Sequence, residues 1–215
     1  MNNFWKILHQ PFTVLAPLDG ITDIVFRQMI IKLGKPDVLF TEFTSVEGLW
    51  SAGAKKAKER LLFKPNEHPI VAQLWGMKPD NFYKSAKLAK DLGFDGIDLN
   101  MGCPDRTIVK AGACSALINN HTLAHEIINA TKSGAGRLPV SIKTRIGFQQ
   151  IEINDWISFL LKQNINALTV HLRTVRELSK VPAHWEVMPQ IIDLRNKISR
   201  DTVIIGNGDI LSISE

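Results

Sequence analysis

Short apolar runs return seven times along this 215-residue chain, each closed by a polar residue or a Gly/Pro turn and followed by a stretch with helical spacing. The predicted strands are Thr13–Ala16, Asp37–Phe43, Pro69–Leu74, Gly96–Leu99, Pro139–Thr144, Ala167–Leu172 and Thr202–Gly206. In the first predicted helix Ile24, Phe26, Met29, Ile30 and Leu33 form the apolar face, with Thr22 as N-cap and Gly34 as stop. Pro79 opens another, with Phe82, Ala86, Leu88, Ala89 and Leu92 inward and Gly93 at its end. Further helices are predicted over Phe4–His9, Ala113–Ile118, His121–Thr131, Ile151–Gln163 and Trp185–Ile198, and Lys55, Lys56, Lys58 and Arg60 read as a solvated helix face. Consecutive parallel strands need a crossover long enough to return across the sheet, and a helix supplies it. An open doubly wound sheet would carry Gly-x-Gly-x-x-Gly after its first strand, whereas Pro17-Leu18-Asp19-Gly20 stands here. The prediction is therefore α/β: a (β/α)8 TIM barrel, here incomplete with about seven β/α units, as one domain over residues 1–215.

In such a barrel the chemistry gathers at the C-terminal strand ends, where Gln73, Asn100, Cys103, Lys143, His171 and Asn207 fall. The fourth strand runs into Asn100-Met101-Gly102-Cys103-Pro104, and the proline and glycine stop the ladder so that Cys103 lies on the first loop residues after it. A single cysteine is ordinarily a small buried hydrophobe; polar residues at the other strand ends favour a reactive role. The other thiol, Cys114, reads as packing filler. With no Cys-x-x-Cys or His-x-His near them, the two cysteines make neither a zinc site nor a disulfide framework, and a reducing, cytoplasmic location is expected. The N-terminal stretch is too polar for a signal peptide, and no apolar run approaches a membrane span. A net charge of +5 is the sign expected of a polyanion partner.

The ordered set of motifs resembles the tRNA-dihydrouridine synthases, the Dus family of flavin enzymes. It comprises Ala16-Pro17-Leu18-Asp19-Gly20-Ile21-Thr22-Asp23 with Phe26-Arg27, Thr41-Glu42-Phe43, Val71-Ala72-Gln73-Leu74-Trp75-Gly76 and Asp98-Leu99-Asn100-Met101-Gly102-Cys103-Pro104. Gly112 with Ala116-Leu117, Ser141 to Gly147, Val170 to Thr174 and Ile205 to Ile210 complete it. The resemblance implies reduction of uridines in tRNA to 5,6-dihydrouridine by FMN, itself reduced by NADPH or NADH, with hydride arriving at C6 and a proton at C5. Cys103 aligns with the family's proton donor. Gln73, Lys143 and His171 match flavin contacts, Asn100 a residue near flavin and substrate, Pro17 and Leu18 the ring edge, and Asn207, Gly208 and Asp209 the phosphate and ribityl end. Arg145 and Arg173 are assigned to the substrate, and no metal is expected.

The chain departs from the family pattern in three places. Leu172 replaces a glycine and Ser179 to Trp185 follow, which changes a substrate-facing loop; Cys114 stands where a glycine or other small residue is usual. The chain also ends before an eighth barrel strand with its Gly-Arg phosphate loop and before the helical tRNA-binding domain, so weak FMN binding is expected, with a monomer when complete and open edges that favour self-association. Two alternatives stand beside this reading: a flavin barrel acting on a free pyrimidine, and an inactive RNA-binding relative.

Overall fold

Short, mostly apolar runs of two to six residues become the strands of this protein because parallel strands are covered on both faces and need no alternation. The computed structural model describes residues 3–212; Met1 and Asn2 of the polar N-terminal stretch, and the chain end at Glu215, lie outside them. The elements are β1 (Val14–Leu15), α1 (Ile24–Gly34), β2 (Val38–Phe40), β3 (Thr44–Ser45), α2 (Val46–Leu49), α3 (Ala54–Glu59), β4 (Ile70–Trp75), α4 (Pro79–Leu92), β5 (Gly96–Met101), α5 (Arg106–Lys110), α6 (His121–Ala135), β6 (Val140–Arg145), α7 (Ser158–Leu161), β7 (Ala167–His171), α8 (Met188–Ile198) and β8 (Val203–Asn207). This is the α/β order of an incomplete TIM barrel. Two compact units divide it: the chain to Leu99 with Glu126–Val140, and Asn100–His125 with Ser141 onward. No helix among the described residues is long and apolar enough to cross a membrane.

In the first unit β2 pairs with β1 and β4, and β4 with β5, all parallel, with Gln73 opposite Asp98. Val38, Leu39, Phe40, Ile70, Val71, Ala72 and Leu74 are buried. The strand predicted over Asp37–Phe43 stops at Phe40; β3 then pairs with the end of β4 through Thr44 and Leu74. In the segment between β2 and β3 the Glu42 carboxylate takes the Gly20 N–H at 2.7 Å and Arg60 at 3.2 Å.

Two helices of this unit differ in how well periodicity described them. In α4 proline occupies the first turn, Phe82, Ser85, Ala86 and Ala89 are buried, and Gly93 closes the helix at φ +90°; Leu92, expected inward, is exposed. In α1 the expected apolar face is not the buried one: Met29 and Leu33 are exposed, and Arg27 is buried. Its guanidinium pairs with the buried Glu67 at 2.6 Å and donates to the carbonyls of Thr22 and Leu62. The N-cap is Asp23, which accepts from Phe26 N–H, because Thr22 Oγ is engaged with the backbone of Leu18. Helix α3 has no buried residue, as its basic run implies.

In the second unit β7 pairs in parallel with β6 and β8, which sets Arg145 beside His171 and His171 beside Asn207. The helix predicted over Ile151–Gln163 begins as a π-helical turn, Ile153–Ile157, before α7. Trp156 in that turn donates to Thr144 Oγ at 2.8 Å, stacks with Phe159 and lies tilted against His121. The Asn119-Asn120 break holds, with Asn120 Oδ1 accepting from Leu123 N–H.

Candidate active site

Four anchors fix the turn after β5. The Asn100 carboxamide oxygen accepts from the N–H groups of Gly102 and Cys103 at 3.1 and 3.0 Å, the Ser115 hydroxyl donates to the Cys103 carbonyl at 2.8 Å, and Arg145 Nε donates to the Gly102 carbonyl at 3.0 Å. Gly102 is needed for clearance, since a Cβ there would stand 3.2 Å from the Thr144 backbone. The Cys103 thiol is half-buried on this turn. Its pKa is lowered to about 7, chiefly by a hydrogen bond from Cys114 and further by the Asp105 backbone and the Arg145 charge, against burial and the Asp105 carboxylate, which raise it.

The ends of β6, β7 and β8 meet in a second cluster. Lys143 Nζ donates to Asn207 Oδ1 at 3.1 Å. Arg173 Nη1 lies 3.1 Å from His171 Nε2. A guanidinium can only donate, so Nε2 accepts and the imidazole carries its proton on Nδ1. Burial, with Arg145, Lys143 and Arg173 nearby, lowers the His171 pKa to about 3, so the ring is neutral at pH 7. Gly208, at φ +119°, passes so close to His171 that a Cβ would lie 3.1 Å from its ring. The Asp209 carboxylate takes Arg173 Nη2 at 2.6 Å and Ala183 N–H at 2.8 Å.

Lys143, His171, Asn207, Gly208 and Asp209 are therefore neighbours, and Asn100 and Cys103 share a turn. The two arginines assigned to substrate are spent largely on the fold: Arg145 also donates to the carbonyls of Thr174 and Leu178, and Arg173 to that of Val181. Burial lowers the Arg145 pKa to about 10, which leaves it charged. Sequence reasoning missed Cys114 as a partner of Cys103; its only signal was a side chain where a glycine is usual.

Pro17, Leu18 and Gln73 belong to the first unit. Gln73 is fully buried, its amide donating to Asp98 Oδ2 at 2.7 Å and its N–H to Thr41 Oγ at 3.1 Å. Leu18 has both backbone groups engaged by Thr22, and its side chain is exposed. The cofactor roles expected of these three rest on the resemblance.

Parallel βα units with polar residues at the strand ends define a barrel-type α/β protein, and solved structures agree on the fold. The old yellow enzyme homologue from Zymomonas mobilis superposes with a TM-score of 0.59 at 15% identity, over 92% of this chain and 78% of that one. Morphinone reductase in complex with tetrahydroNAD gives 0.57 at 13% identity, over 92% and 77%. The chain belongs to the dihydrouridine synthase (Dus) family, whose model matches residues 14–215. It is 47% identical over 210 residues to the probable tRNA-dihydrouridine synthase 2 of Bacillus subtilis (strain 168), covering 97% of this chain and 64% of the relative. The probable tRNA-dihydrouridine synthase of Staphylococcus aureus (strain Mu50 / ATCC 700699) is also 47% identical, with 63% of its length covered. The chain thus spans less than two thirds of these relatives.

Proposed function

We propose that this protein takes part in the FMN-dependent reduction of uridines in tRNA to 5,6-dihydrouridine, with NADPH or NADH as reductant and Cys103 as proton donor. The observation that carries the reading is the Cys103 thiol, half-buried on a turn anchored by Asn100, Ser115 and Arg145, with its pKa lowered to about 7. Family membership and the relatives' names support the substrate class.

The donor set fits a flavin. Lys143 is a cation beside a carboxamide, His171 a neutral ring with its donor on Nδ1, and Gly208 leaves backbone room where a side chain would collide. Lys143, His171 and Asn100 would hold the polar edge of the ring system, and the Asn207–Asp209 backbone the ribityl and phosphate end, with a cation at the edge favouring the reduced, anionic state. When bound, the reduced flavin supplies the hydride that adds to C6 of the uracil.

The addition leaves enolate character at C5 and O4, and the Cys103 S–H delivers a proton to C5, completing loss of the C5–C6 double bond. A donor titrating near the working pH combines protonated fraction with acidity, which is the condition for an efficient general acid. Arg145, held against the Gly102 carbonyl, keeps a positive charge near the sulfur as the thiolate forms.

Cys103→Ala should retain flavin reduction by NADPH while slowing flavin oxidation by tRNA about 10²- to 10⁴-fold, the usual contribution of a general acid. Stopped-flow absorbance at the flavin band separates the two half-reactions. Loss of the reductive half-reaction, with the oxidative one intact, would refute the assignment.

A further inference from the structure

Cys114 is fully buried and stands at φ +54°, a backbone conformation costly for a residue with a Cβ and free for glycine. The neighbouring Ser115 donates to the Cys103 carbonyl at 2.8 Å, so the segment that carries Cys114 is tied to the catalytic turn. Strained backbone that persists at a site is a reason to ask what its side chain does. We propose that Cys114 is a positioning residue for Cys103, its buried S–H donating a hydrogen bond to the Cys103 sulfur and holding the thiolate left after proton transfer. The proposal rests on Cys103 being the proton donor of the reaction above.

The proton balance is simple. Cys103 gives its hydrogen to C5 and keeps the S–H electron pair; the anion so formed accepts from Cys114, whose own proton stays in place, and solvent returns a proton to Cys103 before the next turnover. A hydrogen bond to the charged form favours that form. The lowered pKa of Cys103, with Cys114 as its largest cause, agrees with this. The other charged groups facing the thiol are Asp105, whose backbone favours the anion while its carboxylate opposes it, and Arg145, which favours it. Neither depends on the side chain at 114.

The test is the pH dependence of iodoacetamide alkylation at Cys103, located by peptide mass, on the flavin-loaded chain. The parent should show a midpoint near 7. Cys114→Gly and Cys114→Ala should move it up by about one unit or more, toward the ~8.5 of an unperturbed thiol, whereas Cys114→Ser, which keeps a donor, should stay near the parent. Glycine relieves the backbone at φ +54° and alanine does not, so a shift in the alanine variant alone would assign the effect to backbone strain and overturn the proposal. Midpoints near 7 in both, or a serine variant that behaves like alanine, would overturn it too. The alkylation readout holds whatever the substrate, so this failure is distinct from a failure to reduce tRNA. In turnover, the alkaline limb of the oxidative half-reaction should move up in Cys114→Gly along with the alkylation midpoint.

Discussion

His171 stands among Lys143, Arg145 and Arg173 and carries no charge at neutral pH, because its burial, and after it each of these cations, opposes protonation. Its folded pKa, about 3, lies below the roughly 6.5 of a histidine in an unfolded chain. Between these values the unfolded state binds the extra proton, so stability from this group is complete above about 6.5 and is lost as pH falls toward 3. His171→Gln should flatten the acid limb of the urea-midpoint profile relative to the parent. Superimposable acid limbs would contradict a neutral, cation-flanked ring. Cys103 was legible in the sequence because Gly-Cys-Pro after a short strand puts a thiol on a loop. The nearness of Cys114 was not, because eleven residues of separation say nothing about which side chains the 3-10 turn Cys114–Asn119 brings back to the start of the loop.

Among the elements, α1 shows what a hydrophobic pattern conceals. Its apolar residues have helical spacing, yet the buried side chain is Arg27, paired with Glu67 and satisfied by two carbonyls. Removing one member of a buried pair leaves the other charge without compensation, at a cost of about 3 to 5 kcal/mol. Arg27→Met should therefore destabilise the protein by about that amount in urea unfolding, while Leu33→Glu, at a side chain 80% exposed, should change stability by no more than about 0.5 kcal/mol. Similar costs for the two would show that α1 does not depend on the pair. In α4 pattern and packing agree, because proline, small apolar residues and glycine each sit where helix geometry uses them.

For the whole molecule the net charge of +5 is the property that bears on the proposed tRNA substrate. Each phosphate neutralised by a lysine or arginine releases counterions, so affinity falls with salt; three duplex phosphate contacts correspond to roughly a 40-fold loss between 50 and 200 mM. Filter binding of tRNA should show a loss of at least about that size. Affinity independent of salt would argue against a phosphate-mediated complex. Because the chain spans 64% of its B. subtilis relative, the same titration on the full-length relative measures what the remaining residues of that protein add.

The sequence by itself determined the alternation of strands and helices, the parallel class and the strand-end positions of Asn100, Cys103, Lys143, His171 and Asn207. These follow from periodicity and punctuation, which act over a few residues. Only the tertiary structure decided that Glu42 meets Gly20 and Arg60, that Arg27 rather than Leu33 enters the core, and that Arg145 and Arg173 clamp carbonyls. It alone brought the Cys114–Ser115 segment to the Cys103 turn, with the Ser115 hydroxyl on the Cys103 carbonyl. Each of these is a choice of partner by a polar or charged group. Burial requires such a group to find its complement, and the complement stands too far along the chain for local spacing to name it.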